Sequence, residues 1–423
     1  MAISFIFGGN KPKFSQSLNL SRFISKRISG EKVESFSSTI HKIAVASIML
    51  GLAAAIVSFL IMKGFQETVK ERIYSFSGHI IITKFSMSNS MEETPLDINI
   101  DLYKNYKQLG YVRHIQEYAH KAGLIKTEDE VLGVVLKGVG KSFDSAAFKS
   151  NIIDGRFIHF PDSGYSNEVL LSKVIANKLN VGVGDAITIH FFQNPPRLRR
   201  LTVAGIYETN LSEYFDGKIV IGDIRLIARL NNWADSVAGG LEVFVKDVNN
   251  IDFAGQSIAE KIDYDLNIEP ISNKFIQVFE WLNLLSRQVN ILLIIILIVV
   301  CVNMISIILI LVMERTQMIG MLKALGANNK LIRTIFLYNG INLIVKGLLL
   351  GNSLGLALCY IQYKFKLIKL NPEDYYMSFV PISWHWEIIV ILNVLTFLVV
   401  TVVLLLPTAI ISRISPIKAI RFD

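Results

Sequence analysis

Residues 291–313 read ILLIIILIVVCVNMISIILILVM and are followed directly by residues 314–327, ERTQMIGMLKALGA. The first stretch has no charge and is long enough to cross a hydrocarbon core of about 30 Å as a helix. Its polar members, Asn303 and Ser306, are expected to face protein. The second stretch, called the post-span segment, predicts a short amphipathic helix that Gly326 ends.

The post-span segment has two side-chain stripes when it is read as a helix. Met318, Leu322 and Leu325 form one stripe. Arg315, Ile319 and Lys323 form the other, and Glu314 opens the segment. Such a helix can lie on the lipid surface or in a groove of a soluble partner. A solvated loop between two spans is the alternative.

Composition assigns the chain to the membrane proteins. Hydrophobic residues make up 52% of the sequence and charged residues 18%, against roughly 25% charged in soluble domains. The net charge of +8 comes from scattered lysines and arginines without a nucleic-acid-binding motif, so a nucleic-acid partner is not expected.

Apolar runs and polar stretches divide the chain into nine segments. Residues 43–62 contain no charge and are expected to remain as a signal anchor. Asn328 can cap the helix that contains the third run. The predicted organisation is a tail with an interfacial amphipathic helix (1–42), span 1 (43–62), an α+β domain (63–288), span 2 (289–313), the post-span helix and turn (314–330), span 3 (331–363), a short loop (364–385), span 4 (386–407) and a tail (408–423).

The large polar region between the first two spans mixes both kinds of secondary structure. Alternating or apolar stretches predict strands, and helical patterns lie between them. The predicted strands are 79–83, 131–138, 186–192, 201–207 and 241–245, and the predicted helices are 172–179, 221–230 and 253–262. Asn194, Pro195 and Pro196 separate two strands and predict a hairpin tip. Three basic residues follow it: Arg197, Arg199 and Arg200. The tip is either a partner-binding hook or an ordinary solvated hairpin.

The third span carries three glycines at four-residue spacing, Gly347, Gly351 and Gly355. Small residues at this spacing allow another helix to approach closely. Lys346 lies beside them, and we expect it to reach polar groups through its long side chain rather than to form a transport site.

No catalytic or cofactor site emerges from the sequence. Gly138 to Ser142 ends like a phosphate-binding loop, but Val135 occupies the position of the first glycine, so the motif fails. The histidines show no metal or triad pattern, and Cys301 and Cys359 fall inside apolar runs as packing residues. We therefore expect no enzyme activity, metal or bound cofactor in this chain.

Basic residues favour cytoplasmic termini. The N-terminal tail, the 314–333 connection and the C-terminal tail carry more lysine and arginine near the spans than the opposite side does. By the positive-inside rule, residues 63–288 then lie outside the cytoplasm and the post-span segment lies inside it.

Several motifs in order resemble the lipoprotein-releasing (LolC/LolE type) permeases of ABC transporters, within the FtsX and MacB-like superfamily. The motifs are SRFISKRISG, GFQETVKERIYSFSGHIIIT, GIYETNLSEYFDG, MERTQMIGMLKALGANNKLIRTIFLYNG and SPIKAIRFD. The resemblance implies four transmembrane helices with a two-lobed MacB-like periplasmic domain between helices 1 and 2.

The resemblance also implies a set of partners. A separate ATPase dimer, which holds ATP and Mg²⁺, would bind two permease subunits, the second being the same or a related chain, and residues 314–326 match its coupling position. The cargo would be an acylated lipoprotein from the outer leaflet of the bacterial inner membrane, passed to a periplasmic carrier. In some members of the family a hairpin of the outer domain grips that carrier, and residues 193–200 are the best match to this hairpin. Activation of a cell-wall hydrolase, as in the cell-division branch, and MacB-like efflux are the alternatives.

Overall fold

The computed structural model describes residues 36–86, 93–126, 131–211, 215–371, 375 and 377–410. The interfacial helix expected in the N-terminal tail and most of the C-terminal tail lie outside these residues. The described part divides into two compact units. The membrane unit contains residues up to 65, 284–367 and 381 onward, and the outer unit contains 66–283 and 368–380.

Four helices are long and apolar enough to cross a membrane. The helices of the described residues are α1 (Phe36–Ser77), α2 (Asp101–Asn105), α3 (Ser145–Phe148), α4 (Lys173–Leu179), α5 (Ile224–Asn231), α6 (Ile251–Ala259), α7 (Ile271–Lys274), α8 (Ile276–Glu314), α9 (Thr316–Ala324), α10 (Asn329–Phe365) and α11 (Trp386–Ile410). The four candidate spans are α1, α8, α10 and α11.

The first two spans extend well beyond their apolar runs. Helix α1 continues to Ser77, and α8 begins at Ile276, so both helices contribute residues to the two units. Charged residues at 63–72 end the apolar run but are compatible with helix, because straight-chain Lys, Glu and Arg have good helix propensity. The predicted span ends at 62 and 289 therefore mark changes of composition, whereas the helices themselves continue.

The strands of the outer unit form a ten-stranded mixed sheet and a separate two-stranded pair. The strands are β1 (Ile80–Lys84), β2 (Leu96–Asp97), β3 (Val112–Lys126), β4 (Val131–Val139), β5 (Ile152–Gly155), β6 (Glu168–Ser172), β7 (Ala186–Phe191), β8 (Arg197–Tyr207), β9 (Ile219–Asp223), β10 (Val237–Ala238), β11 (Gly240–Val245) and β12 (Leu266–Pro270). The order in the large sheet is β12-β1-β11-β3-β4-β9-β6-β8-β5, and β7 pairs with β3 and β8.

Two apolar cores lie along this sheet. One contains Ile80, Ile115 and Leu241, from both sequence ends of the unit. The other contains Leu136 and Val203, from its middle. The first lobe is thus built from segments that flank the second, and the predicted fold class, four membrane helices with an inserted α+β domain of two lobes, is confirmed.

Two predicted helices in the outer unit have wrong boundaries. The helix predicted at 253–262 is α6, Ile251–Ala259, and residues 260–262 follow its end. The helix predicted at 221–230 begins too early. Residues 221–223, predicted as the start of a helix, complete strand β9, and α5 begins at Ile224. Apolar residues lie on both sides of Gly222 and Asp223, so hydrophobicity alone does not mark the change from strand to helix. Asp223 marks it, because its carboxylate accepts a hydrogen bond from the Arg225 backbone N–H at 2.9 Å and caps the helix.

The central part of the loop between the third and fourth spans, residues 368–380, belongs to the outer unit. The Leu370 N–H donates to the Ser378 carbonyl at 3.0 Å, and the Val380 N–H donates to the Ile368 carbonyl at 3.1 Å. These bonds close a small antiparallel hairpin across residues 368–380, and Met377 is buried. The composition of residues 364–385 predicts only a short loop and does not indicate this hairpin.

Candidate functional site

The post-span segment forms helix α9, and it ends at the predicted glycine. Gly326 has a φ of +89°, a conformation that glycine adopts without steric cost. The Ala327 N–H donates to the Leu322 carbonyl at 2.9 Å, and the Gly326 N–H donates to the Lys323 carbonyl at 3.0 Å. These two bonds form a Schellman motif. Asn328 then caps α10 as predicted, accepting from the Leu331 N–H at 2.8 Å.

One side of α9 packs into the membrane unit. Ile319 is fully buried in the apolar cluster that contains Ile308, Val312 and Ile332, and Met318 packs against the same cluster. Both residues were selected from the sequence as ATPase-coupling positions. Their side chains hold α9 against the membrane helices, and a partner protein cannot touch Ile319 without unpacking it.

The other side of α9 is apolar and open. Met321 is 59% exposed and Leu325 is 85% exposed. Leu325 was predicted, whereas Met321 was missed, although its position four residues before Leu325 places it on the same face of a helix. The structure thus divides the segment into an anchoring side and an exposed side, called the α9 exposed face, which consists of Gln317, Met321, Ala324 and Leu325.

The predicted hairpin is confirmed. Strands β7 and β8 pair antiparallel, with Phe191 opposite Arg197, and Asn194, Pro195 and Pro196 are exposed at the turn between them. Two large apolar side chains also project there: Phe192 is 65% exposed and Leu198 is 56% exposed. These apolar residues were absent from the sequence-based selection. The hairpin tip is therefore a mixed apolar and polar surface.

The three arginines of the hairpin have different surroundings. Arg197 donates to the carbonyls of Arg229 and Leu230 at 2.9 and 3.1 Å, at the C-terminal end of α5. A cation in this position also interacts favourably with the helix dipole. Arg199 donates to the carbonyl of Leu198 at 2.8 Å, whereas Arg200 is exposed. Arg197 therefore fixes the hairpin to its own domain, and Arg200 is the arginine best placed for an outside partner.

The three spaced glycines lie where α10 meets α1. A Cβ on Gly347 would lie 2.6 Å from Ile48 Cβ, and one on Gly351 would lie 3.0 Å from the carbonyl oxygen of Met49. A Cβ on Gly355 would lie 3.2 Å from Ala53 Cα. The helices can approach this closely only because these positions lack side chains. Lys346, next to Gly347, is exposed on the outer side of α10.

The residues of the failed phosphate-loop motif lie at the end of strand β4 and just after it. Gly138 and Val139 complete strand β4, and the exposed Lys141 forms an ion pair with Asp162 at 3.2 Å. Within the part of the chain that the structure describes, no group of three or more histidine, cysteine or acidic residues could hold a metal ion.

Two individual relatives cover almost the whole chain. A Haemophilus influenzae protein, "Lipoprotein-releasing system transmembrane protein LolE", is 23% identical over 95% of this chain and 99% of its own length. A Neisseria meningitidis protein, "Lipoprotein-releasing system transmembrane protein LolC", is 22% identical over 93% of this chain and 96% of its own. The crystal structure of the extracellular domain of the ABC-type transporter YknZ is 15% identical, with a TM-score of 0.31, and covers 45% of this chain and 98% of that domain.

Two family models match this chain, one over the first span and most of the outer unit and the other over the remaining spans. The MacB-like periplasmic core domain matches residues 43–261, which include most of helix α1 and most of the outer unit. The FtsX-like permease C-terminal domain matches residues 290–416, which include the remaining spans and α9. The match to the first model covers more than half of the sequence and confirms the resemblance to the FtsX and MacB-like superfamily. The chain therefore belongs to the family of membrane permeases in which a MacB-like periplasmic core domain precedes an FtsX-like permease C-terminal domain.

Proposed function

We propose that this chain is the permease subunit of an ABC transporter that extracts lipoproteins from the outer leaflet of the bacterial inner membrane. Hydrolysis of ATP by a separate subunit drives the extraction, and a periplasmic carrier receives the cargo. The similarity to two proteins named as lipoprotein-releasing, over more than nine-tenths of this chain, is the observation that carries the proposal.

The α9 exposed face is the proposed contact for the ATPase dimer. Met321 and Leu325 offer apolar side chains to a groove on a soluble partner, as amphipathic helices commonly do. Ile319, buried on the opposite side, attaches the same helix to the membrane unit. A push on the exposed face would therefore reach the spans directly. ATP and Mg²⁺ belong to the partner in this proposal.

The proposed orientation places α9 and both termini in the cytoplasm. It follows from the excess of lysine and arginine near those segments. The outer unit then lies in the periplasm. There the hairpin tip, with Phe192, Leu198 and Arg200 exposed, is the proposed surface for the lipoprotein carrier. A second permease subunit, the same chain or a related one, completes the transporter.

The experiment reconstitutes the native complex in proteoliposomes that contain an acylated lipoprotein, and it measures ATP hydrolysis together with release of lipoprotein to a soluble carrier. The double variant Met321→Glu and Leu325→Glu places charges in the proposed apolar contact. We expect at least a tenfold loss of release and loss of the ATPase subunit during purification, because burial of these charges is unfavourable.

The matched control is Gln317→Glu, which adds a charge on the same exposed face without removing apolar surface. We expect this variant to release lipoprotein within about twofold of the parent, since exposed substitutions usually have small effects. Full release by the double variant would refute the assignment of the α9 exposed face. A wild-type complex that hydrolyses ATP but releases no lipoprotein, and instead activates a cell-wall hydrolase or exports a drug, would refute the proposed function.

A further inference from the structure

A buried ion pair lies at the centre of the outer unit. Lys137 Nζ in β4 lies 2.7 Å from Glu242 Oε1 in β11, and both side chains are 2% exposed. Gln116 in β3 donates from Nε2 to the other carboxylate oxygen at 2.8 Å. Burial lowers the pKa of Lys137, and the nearby Glu242 carboxylate opposes that shift. A buried ion pair is weak evidence for a gain in stability, so its geometry requires another explanation.

The Lys137 ammonium has a further acceptor at the end of helix α1. It donates to the Phe76 carbonyl oxygen at 2.5 Å, and it lies 4.3 Å from the centre of the Phe76 ring. The last carbonyls of a helix have no partner within the helix, and a cation is favoured there by the helix dipole. Lys137 therefore caps the C-terminal end of α1 with a side chain that comes from the sheet.

The chain leaves α1 directly against the same pair. Gly78, with a φ of +70°, follows the helix, and a Cβ at this position would lie 3.2 Å from Glu242 Cβ. The Phe76 ring packs at 4.4 Å from the ring of Phe215. The end of α1 is thus fixed by an ammonium group, a close backbone approach and an aromatic contact.

The polar network connects α1 to three neighbouring strands. Glu242 pairs in register with Gln116, and β3 pairs in turn with β4, which carries Lys137. These strands lie side by side near the middle of the large sheet, in the order β11-β3-β4. A displacement of the end of α1 therefore acts on the central strands through short, fully buried bonds.

We propose that Lys137 is a positioning residue that makes the end of α1 and the central strands β11, β3 and β4 move as one body, so that movement of this membrane-spanning helix reaches the outer domain. Its contribution to transport rests on the proposed function. The mechanical connection between helix and sheet does not depend on what is transported, and it is measured separately.

The test removes the connection without leaving a lone buried charge. The double variant Lys137→Met and Glu242→Gln is neutral, keeps an acceptor for Gln116 and deprives the Phe76 carbonyl of its ammonium donor. The matched control, Lys173→Met and Glu208→Gln, removes an ion pair of 3.2 Å whose side chains are 49% and 32% exposed.

The first measurement is the distance distribution between spin labels at Glu71 in α1 and Arg113 in β3, both exposed positions, in the full chain after replacement of Cys301 and Cys359. We expect a narrow distribution in the parent and in the control, and at least a twofold broader one in the Lys137 double variant. An unchanged width in that variant would overturn the proposal.

The second measurement is the amount of lipoprotein released per ATP hydrolysed by the complete complex. We expect at least a tenfold decrease in the Lys137 double variant, with ATP hydrolysis within twofold of the parent and no change in the control. Unchanged release beside a broadened distribution would overturn the role of Lys137 in transport. If the parent itself releases no lipoprotein, the proposed function fails, while the distance measurement still decides whether the connection exists.

Hydrogen exchange of the unsubstituted protein keeps the proposal testable if the double variant does not fold. The backbone amides of the last turn of α1, residues 74–77, should exchange as slowly as those of β11 and β3. Exchange at least a hundredfold faster in that turn would overturn the proposal, because it would show that the helix end opens independently of the sheet.

Discussion

Replacement of Gly347 by alanine tests the close contact between α10 and α1. The added methyl carbon would lie 2.6 Å from Ile48 Cβ and 2.7 Å from Ile48 Cγ2, whereas ordinary contacts begin at 3.4 Å, so the helices must move apart. Overpacking of this kind costs about 1–3 kcal/mol, and alanine in place of glycine in a helix recovers about 1 kcal/mol. We expect a net loss of about 1 kcal/mol in unfolding free energy.

Gly355→Ala is the matched control on the same helix face. Its added carbon would lie 3.2 Å from Ala53 Cα and 3.3 Å from both the Ala53 carbonyl oxygen and Ile56 Cβ, so the neighbouring helix needs to yield by only a few tenths of an ångström. The gain in helix propensity, about 1 kcal/mol, should then cancel or exceed the cost. Gly347→Ala is therefore expected to be less stable than Gly355→Ala.

The assay is reversible unfolding of the purified chain in mixed micelles with increasing sodium dodecyl sulfate. In an Ile48→Gly background the three atoms nearest to the added carbon are gone, so Gly347→Ala should change from destabilising to stabilising. A Gly347→Ala variant that is at least as stable as Gly355→Ala, or an effect that keeps its sign without the Ile48 side chain, would refute the packing argument.

Two further predictions concern the outer unit. Burial, with a smaller contribution from the charge of Arg113, lowers the pKa of His79 from 6.5 to about 4. Below pH 6.5 the unfolded chain therefore binds more protons than the folded chain. The free energy of unfolding should then fall by about 3 kcal/mol between pH 6.5 and pH 4. His79→Asn should flatten this dependence in pH-dependent unfolding, and an equally steep profile would contradict the assignment. For the hairpin, the double variant Phe192→Ser and Leu198→Ser should weaken carrier binding at least tenfold in a pull-down titration. The control is Tyr264→Ser, at a fully exposed residue. Equal binding by the double variant and the control would show that the hairpin tip does not bind the carrier.

The sequence predicts the membrane helices well because each needs only an uninterrupted apolar run of sufficient length. It predicts less well how polar residues within the spans are satisfied. Asn303 contacts protein as expected and donates to Ser47 Oγ at 2.9 Å. Ser306 is exposed instead, because its hydroxyl donates to the Val302 carbonyl of its own helix at 3.0 Å. A serine can satisfy itself locally, whereas the larger amide of asparagine uses a partner helix.

Only part of the candidate functional site could be predicted from the sequence, because the sequence does not specify which surfaces pack against each other. The amphipathic pattern of the post-span segment indicates two sides, but it does not tell which side packs against the spans. Ile319 and Met321 are both large apolar residues, yet the first is buried and the second is exposed. Lys137 and Glu242 are 105 residues apart, and their pairing depends on the register of β11, β3 and β4. Neither periodicity nor composition specifies that register, so the buried ion pair could not be predicted from the sequence.

The small hairpin at residues 368–380 has a practical consequence. Because it belongs to the outer unit and lies in sequence between the third and fourth spans, the outer unit is covalently continuous with all four membrane helices. An epitope tag or fluorescent protein inserted there would therefore disturb more than a surface turn. Insertions at 368–380 should be read as perturbations of the outer unit itself.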